Sequence, residues 1–137
     1  MNVFEPVIVF SAWRADKPEQ VNRDSVEYVK NVLDRRGIPY RSAQGCYKGQ
    51  TEPAIVVIDT DATRDAVQGL AWLFEQESLL YVDANRAARL ETPGGTLIDT
   101  LGVLRAVPEH VAKARDAWTR VDDRFYITVD LTAPEAA

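Results

Sequence analysis

Apolar positions along this chain fall into short blocks. Some are unbroken and some recur every three or four residues. Val7 to Trp13 is an unbroken run rich in Val, Ile and Phe, and it reads as a buried strand. Ala15 to Val21 is a polar connection containing Pro18. Val26, Val29 and Leu33, with Val32 beside them, share one face of a helix over Asp24 to Arg36. Asp24 and Glu27 have capping-box spacing at its start. Gly37 closes it and Pro39 blocks its continuation. Arg35 and Arg36 complement its C-terminal dipole.

Tyr40 to Tyr47, of mixed polarity, predicts a second strand. Ala54 to Ile58, unbroken and apolar, predicts a third in a central position. Asp59, Thr60 and Asp61 offer caps for a second helix. Its stripe is Ala66, Val67, Leu70, Ala71 and Phe74, interrupted by Gly69. Leu79 to Val82 and Ala87 to Glu91 read as strands, the latter followed by a turn at Thr92-Pro93-Gly94-Gly95. Leu101 to Val107 reads as a strand ending at Pro108. Glu109 to Arg120 has Val111, Ala114 and Trp118 at helical spacing, and Phe125 to Leu131 alternates like a last strand.

The order over Val7 to Val82 is β-α-β-β-α-β. This predicts an α+β, ferredoxin-like fold: an antiparallel sheet with helices on one face, plus C-terminal strand and helix additions. Such a sheet leaves an edge or face open, for the C-terminal third or neighbouring subunits to cover. No repeat, linker or low-complexity segment divides the chain. One domain is expected over 1–137, with 131–137 a frayed tail.

Composition narrows the function. The net charge is −5, which argues against nucleic acid, because phosphate binding needs a basic field. No apolar run approaches the roughly 20 residues of a membrane helix. Met1 to Phe10 lacks a positive n-region and carries Glu5 and Pro6, unlike a secretory signal. The single cysteine cannot form an internal disulfide, which fits a cytoplasmic location.

The chemistry-bearing stretch is Gly45-Cys46-Tyr47-Lys48-Gly49-Gln50-Thr51-Glu52-Pro53, set between two strands. As backbone it is an ordinary hairpin turn, but loops with polar and aromatic groups on a rigid scaffold are where ligand chemistry sits. One His and one Cys cannot make a tetrahedral metal site, and no calcium-loop spacing occurs. Pro93-Gly94-Gly95-Thr96 lacks the ending of a phosphate loop, and no dinucleotide fingerprint is present. Cys46 and His110 carry no spacing information and read as a small, partly buried thiol and an unrelated surface histidine. An enzyme with this inventory would work without metal, cofactor or covalent intermediate, by positioning and by carboxylate, hydroxyl and aromatic groups.

Three segments together resemble one family. They are Ser11-Ala12-Trp13-Arg14 after an apolar strand, with Val21-Asn22 before the first helix; Gly45-Cys46-Tyr47-Lys48 with Glu52 downstream; and Phe74-Glu75-Gln76-Glu77 leading into Leu79-Leu80-Tyr81-Val82. Their order and spacing over 7–91 are similar to those of the phage-encoded S-adenosylmethionine hydrolases, better described as S-adenosylmethionine lyases. A fainter echo runs from Leu101-Gly102 to Val107-Pro108. The resemblance implies cleavage of S-adenosylmethionine to methylthioadenosine and homoserine lactone, without metal or cofactor. It also implies a homotrimer with substrate between subunits, a fold like that of trimeric PII-like proteins, and a phage anti-restriction role in the host cytoplasm.

In that setting Glu52 would hold the substrate ammonium or polarise the reacting end. Tyr47 would lie against the sulfonium. Ser11, Arg14, Gln76, Glu77 and Cys46 would complete the substrate-binding set. Glu75 and Glu77 do not share a helix face, and Glu77 is preferred because the second helix is expected to end there. Trp13 and Phe74 read as core, and Arg14 has Asp16 nearby as an alternative partner. Other readings stay open: a water-dependent hydrolase giving homoserine, a non-catalytic nucleotide-binding trimer, or an inhibitor of a host protein.

Overall fold

A computed structural model of the chain describes residues 5–130. The strands are β1 (Val7–Phe10), β2 (Tyr40–Tyr47), β3 (Gln50–Ile58), β4 (Leu79–Val82), β5 (Ala87–Glu91), β6 (Leu97–Val107), β7 (Ala117–Val121) and β8 (Arg124–Val129). The helices are α1 (Glu19–Arg35), α2 (Asp61–Leu73) and α3 (Glu109–Lys113). Every strand pair is antiparallel, and the strands close into a barrel in the order β1-β3-β2-β7-β8-β6-β5-β4.

This corrects the expected ferredoxin-like, PII-like α+β sheet. The order of elements up to Val82 is as read, but the sheet they enter is a closed ring. The strands that would have been its edges, β2 and β4, pair with β7 and β5, and β6 and β8 bridge the remainder. Closure leaves no row of unpaired backbone groups. An eight-stranded ring has room inside for side chains but not for a helix, so the helices pack on its outer wall.

Local corrections have local causes. β1 stops at Phe10 rather than Trp13, because Ser11 to Arg14 leave the ladder for side-chain partners described below. α1 starts at Glu19 behind Pro18, whose extended backbone (φ −59°, ψ 150°) suits the ring and whose missing N–H removes no bond of the helix. Asp24 therefore lies inside the helix, accepting from Gln20 rather than capping. β3 starts at Gln50, not Ala54, so Pro53 lies within a strand. Its carbonyl points to the β1 side, where Ser11 donates to it, and its missing N–H points the same way, past the end of β1. No ladder bond is lost.

The expected helix over Glu109 to Arg120 is replaced by α3 and β7. Trp118 pairs across to Cys46, and its ring lies 5.4 Å from that of Phe125. Strand pairing on both sides of β7 outweighs the helical spacing. β6 begins at Leu97 rather than Leu101. Leu131, expected in the last strand, and the tail 131–137 lie outside the described residues.

Two hydrophobic clusters hold the outer wall to its helices. The larger joins Ile8, Phe10, Ile55, Val57, Leu79 and Tyr81 of the strands to Val29 and Leu33 of α1 and Val67, Leu70 and Ala71 of α2. Thr60 caps α2, its hydroxyl accepting from the Thr63 N–H at 3.1 Å. The second cluster is Cys46, Trp118, Phe125 and Ile127 beneath Ala112 of α3.

Candidate active site

Antiparallel register brings the same end of several elements together. The end of β1, the β2–β3 turn, the α2–β4 loop and the start of β7 all lie at one mouth of the barrel. Barrel mouths are a recurrent place for small-molecule sites. The β2–β3 connection is two residues long, Lys48 and Gly49, at φ of 52° and 78°. Positive φ at both positions is the type I′ geometry that matches strand twist.

That turn fixes the register in which Tyr47 faces Gln50 and Gly45 faces Glu52. Alternation then puts Tyr47 and Glu52 on one face of the sheet, turned away from the helices. Gly45 has no side chain, so the position opposite Glu52 is left clear. Glu52 is half-buried, and loss of water raises its pKa above the ordinary carboxylate value; a hydrogen bond with Ser11 pulls it partly back. Tyr47 is 62% exposed, with the Lys48 ammonium 5.3 Å from its ring centre.

Ser11 is buried against this carboxylate. Its Oγ donates to the Pro53 carbonyl at 2.9 Å and accepts from the Trp13 N–H at 2.9 Å. The following residues are tied to other elements. Arg14 pairs with Asp16 at 2.9 Å and also donates to the Glu75 carbonyl. Gln76 donates to the Trp13 carbonyl at 3.2 Å. From α1, the Asn22 side chain bonds to both backbone groups of Arg14.

A model of the S-adenosylmethionine lyase family matches residues 8–129. The chain belongs to the S-adenosylmethionine lyase family. The match runs from the second residue of β1 to the last of β8, so it takes in the barrel and the residues at this mouth. Cleavage of S-adenosylmethionine is thereby its activity in general terms. No curated protein matches the chain.

For a lyase of this family the geometry sorts the candidates. Glu52 and Tyr47 share a face and present a carboxylate and an aromatic ring at the mouth. Ser11, Arg14 and Gln76 converge there too, but their polar groups are engaged within the protein, by Pro53, Asp16 and Glu75, and Trp13 respectively. Glu77 is exposed and lies beyond the end of α2 at Leu73, not at the helix end as expected. Its charge, like that of Glu75, acts on Arg14, whose pKa is raised first by Asp16. Cys46 faces the opposite way, into the cluster with Trp118, with its Sγ 3.7 Å from the Asp116 carbonyl oxygen. His110 is exposed on α3. Trp13 is half-buried, and Phe74 packs on the larger cluster with its ring 5.7 Å from that of Tyr28.

Among the described residues no three His, Cys, Asp or Glu side chains are grouped to hold a metal, and no helix is long and apolar enough to cross a membrane. Asn22 enters the sequence reading only within the Val21-Asn22 segment of the resemblance, with no role assigned to it. It continues the stripe of Val26, Val29 and Leu33 by one turn, so a polar side chain at a core position was the available signal.

Proposed function

We propose that the chain cleaves S-adenosylmethionine to methylthioadenosine and homoserine lactone. The substrate carries both reacting groups. One carboxylate oxygen attacks the γ-carbon of the same molecule, the γ-carbon–sulfur bond breaks, and its electron pair neutralises the sulfonium. No proton or co-reactant is needed, so we propose no role for a metal or cofactor. The protein's task is to fold the substrate until the reacting atoms sit about 3–3.5 Å apart. A partly dehydrated site favours a reaction in which opposite charges disappear.

The supporting observation is the half-buried Glu52 on the same face as Tyr47, opposite a residue with no side chain. Glu52 anchors the substrate ammonium and so orients the chain bearing the reacting carboxylate. Tyr47 offers its ring to the sulfonium, an attraction of about 0.5–2 kcal/mol. Its exposure fits a homotrimer in which a neighbouring subunit covers the ring and the substrate lies between subunits. We place the whole activity in one domain over 1–137, acting in the cytoplasm of a phage host to deplete its methyl donor.

Incubation of the purified protein with S-adenosylmethionine and a chelator, followed by chromatography, tests this reading. Methylthioadenosine and homoserine lactone are expected. A folded protein that neither binds nor consumes S-adenosylmethionine refutes it.

A further inference from the structure

We infer that Asn22 is a positioning residue of the site, holding the Ser11–Arg14 segment so that Ser11 meets Glu52. This rests on the assignment of Glu52 above. Asn22 lies in the first turns of α1 and is only 2% exposed. Its Oδ1 accepts from the Arg14 N–H at 2.9 Å, and its Nδ2 donates to the Arg14 carbonyl at 2.7 Å and the Lys17 carbonyl at 3.4 Å. A carboxamide reproduces the donor and acceptor of a peptide unit, so Asn22 pairs with Arg14 as a neighbouring strand would. It does so where β1 has left the ladder.

The consequence reaches Glu52 through consecutive contacts. Arg14 fixed at both backbone groups fixes Trp13, whose N–H is held by Ser11 Oγ and whose carbonyl is held by Gln76. Ser11 Oγ is then held against the Pro53 carbonyl, where its proton goes at 2.9 Å, with the Glu52 carboxylate of the adjoining residue as the alternative acceptor. A residue serving the core alone at this place in the stripe would be apolar, like Val29 and Leu33. Burying an amide costs free energy unless each polar atom is paired, and here each one is. The polar choice is spent on the geometry of one loop.

The test compares Asn22→Ala, Ser11→Ala, the double variant and Glu52→Gln on full-length protein. Turnover is read as methylthioadenosine release, and folding as thermal unfolding. Asn22→Ala is expected to lower kcat/KM at least tenfold, with the loss mainly in kcat. The double variant is expected within threefold of the worse single one, since both act through one contact. Unchanged kcat/KM in folded Asn22→Ala, or losses that multiply in the double variant, overturns the inference. Should Asn22→Ala not fold, Asn22→Asp keeps the acceptor for the Arg14 N–H and loses the donor to both carbonyls, and the same thresholds apply. Failure of both to fold makes Asn22 a support of the fold and overturns the positioning role. Full activity in Glu52→Gln overturns the assignment of Glu52 instead, whatever Asn22 does.

Discussion

Glu52→Gln separates catalysis from stability. It keeps shape and removes charge. In the lyase reading, the carboxylate contributes only when charged and set against the substrate. A fixed charge acting in a partly dehydrated site contributes about 10²–10³ in rate, or about 3–4 kcal/mol. Stability should move the other way. Burial raises the Glu52 pKa in the folded protein, so the folded state binds this proton more tightly than the unfolded one. Stability therefore falls as pH rises from the ordinary carboxylate value through the raised folded value, and stays lower above it. Glutamine has no such loss. Because Glu52 is only half-buried, solvent limits the gain to below about 1 kcal/mol, or about 4 °C for a chain of this size. The assay pairs methylthioadenosine release with thermal unfolding at about pH 5 and about pH 8. Glu52→Gln should lose at least 10²-fold in kcat/KM, unfold no lower than wild type at the higher pH, and show less advantage at the lower. Full turnover would refute the catalytic role. Lost turnover with a large drop in unfolding temperature would make Glu52 a structural carboxylate.

Other outcomes follow from the same geometry. Tyr47→Phe should keep KM within threefold while Tyr47→Ala raises it about 2- to 30-fold, the range of a cation–aromatic contact; equal damage from both would assign the role to the hydroxyl. Gly102 has φ of 93°, and a β-carbon there would lie 2.1 Å from the Val129 carbonyl oxygen. Gly102→Ala should therefore cost more than about 3 kcal/mol in denaturant unfolding by forcing β6 from β8, and an unchanged midpoint would contradict that packing. Thr60→Ala should cost about 1 kcal/mol through loss of the α2 cap, with turnover unchanged; no loss of stability would mean the cap is replaced by solvent.

Local pattern carried much of the fold. β2, β4 and β5 have the bounds read from the sequence, and Thr60 caps the helix as the Asp59-Thr60-Asp61 stretch implies. Closure was not legible, because it depends on β7 meeting β2, segments far apart in sequence that no local window compares. The same segment misled the helical reading: Val111, Ala114 and Trp118 have helical spacing, yet Trp118 is buried by partners on β2 and β8. At the site, the turn that sets Tyr47 and Glu52 on one face was legible, because glycines bound it between two strands. Cys46 reads from the sequence both as a partly buried thiol and as a substrate-binding candidate, and the fold buries it, because its side of β2 faces the cluster with Trp118. Asn22 stands in a matching segment but gets no role from the sequence, because a helix beginning at Asp24 leaves it off the buried stripe that α1, beginning at Glu19, gives it.

The most direct test of intramolecular cleavage is the position of label after reaction in ¹⁸O-water. If the substrate's own carboxylate attacks, the earliest product is unlabelled homoserine lactone. Any homoserine formed from it by later opening at the carbonyl carries label in the carboxyl group, with an unlabelled γ-hydroxyl. Label in the γ-hydroxyl of homoserine from the first time points would show that water attacks the γ-carbon, and would contradict the lyase mechanism.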